Sequence, residues 1–325
     1  MAYLVSNDSQ SRCYLSAYHK FGRLQHTADT LINCSNISKL HAIIEWTQGA
    51  WYIWDVSTNG TWLNGEKLIA KTRYILNLND QVVFPGSSRP SFVVEDLAPP
   101  QDLLLPLLAG TTAVDPALEA IKLEKYHLLP AEVSPEYAIF YDEVNANWHC
   151  ESVCDNANNA LNDGDIIEFS GIKWQVHLGN HLALAQTVQE IDSDIEQYTF
   201  TFYLSLDEEK TQLRLESQHM QIDLDIRNHH YLTLLLARYR AADIKKGVAG
   251  YNQGWVEVEQ LSQDLGIDQL HINIQIHRAR KQLVDSLEQG IIFDDLIQRK
   301  KGSIRLGCNQ FTIYKGKELE FRQQA

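Results

Sequence analysis

The chain has 325 residues, 44% hydrophobic and 22% charged, a globular composition long enough for two or three domains. Its net charge of −14 argues against general nucleic-acid affinity, and no apolar run reaches the roughly 18 residues of a membrane span. Five irregularly spaced cysteines fit a reducing compartment, and MAYLVSNDSQSR has neither the basic start nor the apolar centre of a secretory signal, so a soluble cytoplasmic protein with no membrane role is expected. The charge is uneven. Residues 225–325 hold 15 Lys and Arg against 12 Asp and Glu, residues 1–224 hold 13 against 30, and residues 101–190 hold 3 against 14. Such asymmetry is a reason to read the segments separately.

Residues 1–97 read as short strands. AIIEW (42–46), AWYIWDV (50–56), LIAKTRYIL (68–76), QVVFP (81–85) and SFVVED (91–96) are rich in β-branched and aromatic residues, with turn residues between them. That pattern predicts an all-β sandwich, whose end loops are a natural place for a binding site. Gly22-Arg23 follows the first strands, Ser38-Lys39-Leu40-His41 precedes AIIEW, and Thr58-Asn59-Gly60-Thr61 follows WYIWDVS. Together they offer a guanidinium, an ammonium, hydroxyls, an amide and backbone N–H groups beside glycine. This inventory suits a phosphate dianion, because Arg donates a forked pair of charge-assisted bonds and hydroxyls and amides add single ones. At about 1.5–3 kcal/mol per bond to a charged group, three or four bonds support micromolar binding, roughly −8 kcal/mol. Two Asn-Gly steps lie close together in DVSTNGTWLNG (55–65), and each is by itself a strong hairpin-turn signal.

Gly22-Arg23, Ser38-x-x-His41 and Asp55-x-Ser57-x-Asn59-Gly60-Thr61-x-x-Asn64-Gly65 resemble, in order, the motifs of the forkhead-associated (FHA) domain. The resemblance covers about residues 1–97. It implies an eleven-strand β-sandwich that recognises phosphothreonine in peptides. Carried over by position, it implies that Arg23 and Ser38 bind the phosphate, that Lys39 adds charge and Thr58 helps hold the phosphate, and that Asn59 bonds the ligand backbone. Gly22, His41, Gly60, Asn64 and Gly65 then belong to the structural motif, with His41 bracing the loops and Asn64-Gly65 closing a hairpin. Asn36, upstream of Ser38, is an added candidate for contact with residues after the phosphothreonine. The plainer alternative makes both Asn-Gly steps simple hairpin turns.

Residues 98–117 open with prolines and read as a linker with a short helix. Residues 118–195 carry a faint internal echo: Ser134-Pro135-Glu136-Tyr137-Ala138-Ile139-Phe140 parallels Ser38-Lys39-Leu40-His41-Ala42-Ile43-Ile44, and Asp163-Gly164-Asp165-Ile166-Ile167 parallels Asn79-Asp80-Gln81-Val82-Val83. The expectation is a second, degenerate FHA-like β-domain. It lacks a Gly-Arg step and a Thr-Asn-Gly-Thr step, and its charge would repel phosphate, so it would serve as a spacer or partner surface. An unrelated small β-domain is the alternative. His149-Cys150-x-x-x-Cys154 and His177-x-x-x-His181 supply zinc-type ligands, but strand residues and solvated histidines explain them as well, and no metal is assigned.

Residues 196–325 begin with three alternating stretches, YTFTFYLSL, TQLRLES and HMQIDLDI, which predict antiparallel strands. The period then changes. Helices are expected over about 229–241, over 256–266 with a Gly stop, and over QLHINIQIHRARKQLVDSL (269–287). In the third, Ile272, Ile276, Ala279 and Leu283 take the core face. His277, Arg278, Lys281 and Gln282 fall on or near the opposite side, with Arg280 at the flank. LIQRKKGSIRLGCNQFTIYKG (296–316) reads as a basic hairpin around Gly302. A sheet, three helices and a basic hairpin predict an α+β winged helix-turn-helix domain. The segment 198–315 resembles the effector domain of OmpR-like response regulators, most clearly at HINIQIHRARKQL (271–283). It departs from that family at KKGSIRLGCNQF, where a Gly-x-Gly-Tyr ending is usual. By position, Gln275, Arg278 and Lys281 from the helix and Arg299, Lys300 and Lys301 from the hairpin would face double-stranded DNA, phosphates supplying most affinity and base edges the choice. Solvated faces of a protein-binding winged helix are the alternative.

The pairing of modules predicts a multidomain transcription regulator: a phosphothreonine-containing protein, made by a Ser/Thr kinase, docks on the N-terminal sandwich and gates DNA binding. A homodimer would double the contacts and offset the long-range repulsion. A phospho-dependent adaptor whose winged helix binds protein is the second reading. An enzyme ranks last, since the loops hold no general base, nucleophile pair or metal set, and no cofactor is expected.

Overall fold

The computed structural model describes residues 1–86, 89–179, 195–218, 220–287 and 296–323. They fall into two compact units, one from the described residues of Met1–Leu123 and Asn162–Val188, the other from those of Glu124–Leu161 and Gln189–Ala325. No helix among the described residues is long and apolar enough to cross a membrane.

The first unit opens with eleven strands: β1 (Tyr3–Ser6), β2 (Arg12–Tyr14), β3 (Tyr18–Gly22), β4 (Thr30–Leu31), β5 (Ala42–Thr47), β6 (Ala50–Asp55), β7 (Trp62–Leu63), β8 (Glu66–Lys67), β9 (Tyr74–Ile75), β10 (Gln81–Val83) and β11 (Ser91–Asp96). They form two sheets, ordered β2-β1-β11-β10-β7-β8 and β4-β3-β5-β6-β9. In β6 the residues alternate, so Trp51, Ile53 and Asp55 point inward while Tyr52 and Trp54 are half-buried. Leu4, Val82 and Val94 from one sheet share a core with Phe21, Ile44, Trp51 and Ile53 from the other. Phe21, Phe84 and Phe92 meet with ring centroids 5.4–5.9 Å apart, and Trp51 Nε1 donates to the Ala98 carbonyl at 3.0 Å. The stretch 68–76, expected as one strand, gives only Tyr74–Ile75. Lys71 sits at a φ of 64°, and its N–H turns back to the Asp55 carbonyl.

The same unit adds β12 (Asp102–Pro106) and β13 (Ile121–Lys122). The chain then enters the second unit as β14 (Tyr126–Leu129), β15 (Tyr137–Asp142), β16 (Asn147–Ser152) and β17 (Asn158–Leu161), and returns to the first as β18 (Ile166–Phe169) and β19 (Ile172–Leu178). The two resulting four-stranded antiparallel sheets are ordered β13-β12-β19-β18 and β14-β15-β16-β17. The expected linker with a short helix is therefore a strand, with Asp102–Pro106 paired against Leu178–Trp174. A short apolar run reads alike as helix or doubly buried strand, and its distant partner decides. Residues 180–194 of the middle segment, His181 among them, lie outside the described residues.

The rest of the second unit carries β20 (Thr199–Leu204), β21 (Thr211–Glu216), β22 (Gln221–Ile226), α1 (His229–Lys245), β23 (Val256–Glu257), α2 (Val258–Leu265), α3 (Gln269–Ser286), β24 (Ile297–Lys300), β25 (Ser303–Leu306), β26 (Phe311–Lys315) and β27 (Glu318–Gln323). Gly266, at a φ of 65°, ends α2 with a left-handed turn, and the Asp268 carboxylate accepts from the His271 N–H at 2.8 Å to cap α3. Leu232, Leu234, Leu236 and Ala237 of α1 and Ile272, Ile276 and Leu283 of α3 join Phe200, Phe202, Leu215 and Phe311 in one core. The expected hairpin over 296–316 stops at Leu306. β26 instead pairs parallel to β20 and antiparallel to β27, completing a sheet ordered β22-β21-β20-β26-β27. β24 and β25 close through Lys301-Gly302 and pair onward to β23.

Candidate functional site

Three loops of the first sandwich are tied together backbone to backbone. Gly22 ends β3, and the Lys39 carbonyl oxygen lies only 2.1 Å from where a Cβ at position 22 would stand, so a side chain is excluded there. This close approach lets the Arg23 N–H donate to the Ser38 carbonyl at 3.1 Å. The Thr58 N–H donates to Ser38 Oγ at 3.2 Å, which leaves the Ser38 hydroxyl proton available to a ligand. Asn59 Nδ2 donates to the Asn36 carbonyl at 2.7 Å, fixing the amide, and among the described residues no group donates to its oxygen. Arg23, Lys39, Thr58 and Asn59 are exposed and Ser38 is half-buried. Among the described residues no hydrogen bond or ion pair engages the Arg23 guanidinium or the Lys39 ammonium.

Two buried groups hold these loops. His41 is fully buried: the Ser38 N–H donates to Nδ1 at 3.0 Å, so Nε2 carries the proton and donates to the Gly60 carbonyl at 3.1 Å. Burial lowers its pKa, against a smaller opposing effect of the Gly60 bond, and keeps the ring neutral. The Asp55 carboxylate, 2% exposed, accepts from Ser57 Oγ at 2.7 Å and Thr61 Oγ1 at 2.8 Å, and Ser57 Oγ accepts from the Gly60 N–H at 2.7 Å. Gly60 takes a φ of 95° within that turn. Asp55 stands first in the Asp55-x-Ser57-x-Asn59 motif, whose resemblance assigns it no role. Its inward position in the β6 alternation, followed by Ser and Thr, is the signal that marks it.

Asn64 and Gly65, at φ values of 53° and 86°, form the two-residue connection of the β7–β8 hairpin, and Asn64 Nδ2 donates to Asp80 Oδ1 at 2.8 Å. The two Asn-Gly steps thus differ. One closes a hairpin, while the other displays Asn59 on a loop pinned by Asp55 and His41.

The expected DNA-facing residues stand in a different setting. Arg278 donates to the Glu132 carbonyl from Nε at 3.0 Å and Nη2 at 2.7 Å, and to the Val133 carbonyl at 3.2 Å. Lys281 Nζ lies 3.4 Å from the Glu132 carboxylate. Arg299 donates to Asn273 Oδ1 at 3.1 Å. Gln275 is half-buried, while Lys300 and Lys301 are exposed and the Lys300 ammonium lies 5.9 Å from the Trp255 ring centroid. The side of α3 expected to lie opposite its core face needs correction. His277 is fully buried, with Nδ1 2.9 Å from the Tyr126 hydroxyl, and burial with Arg280 and Arg299 nearby drives its pKa well down. Arg280 is 3% exposed against Glu151, and the Gln282 amide oxygen meets His229 Nε2 at 2.6 Å and His230 Nε2 at 2.8 Å. Helical periodicity marks one face for the core but says nothing of a second partner for the other. Of the zinc-type groups, His149 Nδ1 meets Asn158 Oδ1 at 2.9 Å, and burial pushes the Cys150 thiol up to about 12.

A two-sheet sandwich whose end loops gather an arginine, a lysine, hydroxyls and an orienting amide is a β-sandwich recognition module. Residues 19–85 match the family model of the FHA domain, and the N-terminal module of this chain is an FHA domain. Similar solved structures include the N-terminal FHA domain of Rad53p from S. cerevisiae in complex with a phosphothreonine peptide, at 26% identity over 29% of this chain and 90% of that one, with a TM-score of 0.27. Mycobacterium tuberculosis EmbR in complex with a low-affinity phosphopeptide is similar at 27% identity over 29% of this chain and 24% of that one, with a TM-score of 0.26. The FHA domain of an Arabidopsis thaliana hypothetical protein is similar at 27% identity over 30% and 87%, with a TM-score of 0.27. No curated protein matched the chain.

Proposed function

We infer that the chain is a phosphothreonine-dependent regulator. A threonine phosphorylated by a Ser/Thr kinase docks at the FHA loops: Arg23 and Lys39 neutralise the phosphate, Ser38 and the Thr58 side donate to its oxygens, and Asn59 bonds the peptide backbone. The observation that carries this reading is the pair of bonds at Ser38, whose carbonyl holds Arg23 and whose hydroxyl holds Thr58. They gather the donors before any ligand arrives, which lowers the ordering cost of binding.

The C-terminal part is read as a winged helix that binds duplex DNA through Gln275, Arg278 and Lys281 of α3 and Arg299, Lys300 and Lys301 of the β24–β25 hairpin. Residues 118–195 are read as a degenerate FHA-like repeat without ligand function. The order of α1, α2 and α3 followed by a basic hairpin supports the winged-helix reading. The protein-binding adaptor is the second reading, favoured by the hydrogen bonds that Arg278 already makes to residues 132–133.

Calorimetry with a phosphothreonine peptide tests the first module. Binding is expected for the phosphorylated peptide alone, with at least a tenfold rise in Kd for Arg23→Ala or Asn59→Ala, and wild-type affinity in both variants would sink the site assignment. A mobility shift on mixed-sequence duplex DNA tests the second. Salt-sensitive binding weakened by Arg278→Ala/Lys281→Ala supports DNA recognition, whereas no binding at low salt together with stable protein complexes supports the adaptor.

A further inference from the structure

Helix α3 is held from two sides. Ile272, Ile276, Ala279 and Leu283 face the core. The neighbouring face lies against the sheet β14–β17. Asn273 Nδ2 donates to the Val153 carbonyl at 2.9 Å, the Tyr126 hydroxyl meets His277 Nδ1, and Arg280 pairs with Glu151 at 3.3 Å. Arg278 forks onto the carbonyls of Glu132 and Val133, and Lys281, hydrogen-bonded to Asp285 of its own helix, lies 3.4 Å from the Glu132 carboxylate. Lys125 Nζ donates to the Leu287 carbonyl at 2.9 Å. Among the described residues, Val284 of the helix clusters with Tyr126, Leu128, Ala138 and Phe140.

We propose that residues 124–161 form a built-in mimic of DNA that occupies the DNA-facing side of α3, so that duplex DNA and this sheet compete for the same residues. The proposal rests on the DNA-binding reading above. Three features carry it. First, charge: residues 124–161 hold seven Asp and Glu against one Lys, so an acidic segment covers the basic helix. Second, chemistry: Arg278 and Lys281 meet carbonyl and carboxylate oxygens, the kind of acceptor that a phosphate backbone would present to them. Third, the character of the contact: Asn273, His277, Arg278 and Arg280 of the helix meet the segment through hydrogen bonds and an ion pair, and a polar interface releases more readily than an apolar one. A permanent interface would be served as well by apolar side chains, since covering Arg and Lys costs desolvation. The exposed Lys300 and Lys301 remain free to attract DNA first. The mimic is also joined through the chain at both ends to the unit that carries the FHA domain, with β13 before it and β18 after it. That continuity gives a phosphopeptide signal a covalent route to it.

The test uses the full chain, a mixed-sequence 30-base-pair duplex at low salt, and changes on the sheet alone. Glu132→Lys, at a largely exposed residue, sets like charge against Lys281, and Tyr126→Phe removes the bond to His277. The double variant is expected to bind DNA at least tenfold more tightly than the wild type, and adding Arg278→Ala/Lys281→Ala should erase the gain. A second measurement needs no variant. If sheet and DNA compete, saturating DNA must raise backbone hydrogen exchange in residues 126–140. Unchanged or slower exchange there with DNA bound overturns the proposal, as does wild-type DNA affinity in the double variant. If the wild type binds DNA through Arg278 and Lys281 while those two results fail, the mimic is wrong and the DNA reading stands. If neither the wild type nor any variant binds DNA, the DNA reading falls and takes the mimic with it.

Discussion

The Lys39 carbonyl oxygen stands 2.1 Å from the place of a Cβ on Gly22, so the FHA loops meet at a point where only glycine fits. The contact is backbone on one side and cannot swing away as a flexible side chain could. Gly22→Ala should therefore force β3 and the Ser38–Lys39 loop apart. We expect a loss of about 1–3 kcal/mol in urea denaturation. Phosphothreonine-peptide affinity should weaken with it in calorimetry, because Arg23 and Ser38 lose their shared bond. An unchanged denaturation midpoint would contradict this account.

Asp55 should matter although it faces away from any ligand. Asp55→Ala removes Oδ1, the one oxygen that accepts from both Ser57 Oγ and Thr61 Oγ1, so two hydroxyls lose their shared acceptor and that of Thr61 is left buried. The expected cost is about 1–3 kcal/mol of stability. Peptide binding should fall more than fivefold with Arg23 and Asn59 intact. Backbone chemical shifts of Thr58–Gly60 would report the loosened loop directly.

Acid should weaken the FHA domain before the carboxylates titrate. His41 accepts a backbone N–H at Nδ1, and burial lowers its pKa; His19 is pushed down to about 3, mainly by burial, with His177 and Lys20 adding to the shift. In the unfolded chain these rings titrate near 6.5. As pH falls below that value the unfolded state takes up protons that the folded state refuses, so stability present above pH 6.5 is progressively lost, down to about pH 3 for His19. At pH 5 the loss from His19 alone is about 2 kcal/mol. Urea melts between pH 7.5 and 5 should show the decline, and His19→Asn should flatten it. A midpoint independent of pH in the wild type would refute the assignment.

Arg240 of α1 is 5% exposed and donates to the Leu306 carbonyl at 3.0 Å, the Gly307 carbonyl at 3.3 Å and the Cys308 carbonyl at 2.8 Å, and it also bonds Asn309. It thereby fixes the turn that carries the chain from β25 to β26. Arg240→Met keeps much of the apolar stem but strands those oxygens, and a loss of about 3 kcal/mol is expected. Hydrogen exchange at residues 303–313 should rise while that of β5 and β6 stays unchanged.

Much of the FHA domain is legible in the residues. The alternation in AWYIWDV places Trp51, Ile53 and Asp55 inward, and Asn64-Gly65 can take the positive φ values of a tight hairpin. The capping Asp268 and the stop at Gly266 likewise announce α3 and the end of α2. These are local rules, set by Cβ sterics and nearby hydrogen bonds, and a short window contains them.

Other features needed partners far along the chain. LLLP became β12 because residues 174–178 lie beside it, and FTIYK became the parallel neighbour of β20 rather than part of the hairpin. His277 and Arg280, expected on the side opposite the core face and at its flank, are buried because β14–β17 packs there. The sequence alone determined most strands of the FHA domain, the three helices and which loops bear the cations and hydroxyls, since backbone sterics, side-chain period and turn chemistry act within a few residues. Only tertiary structure decided which strands pair, which carboxylate pins the FHA loop and what covers α3, because burial depends on groups brought together from distant parts of the chain.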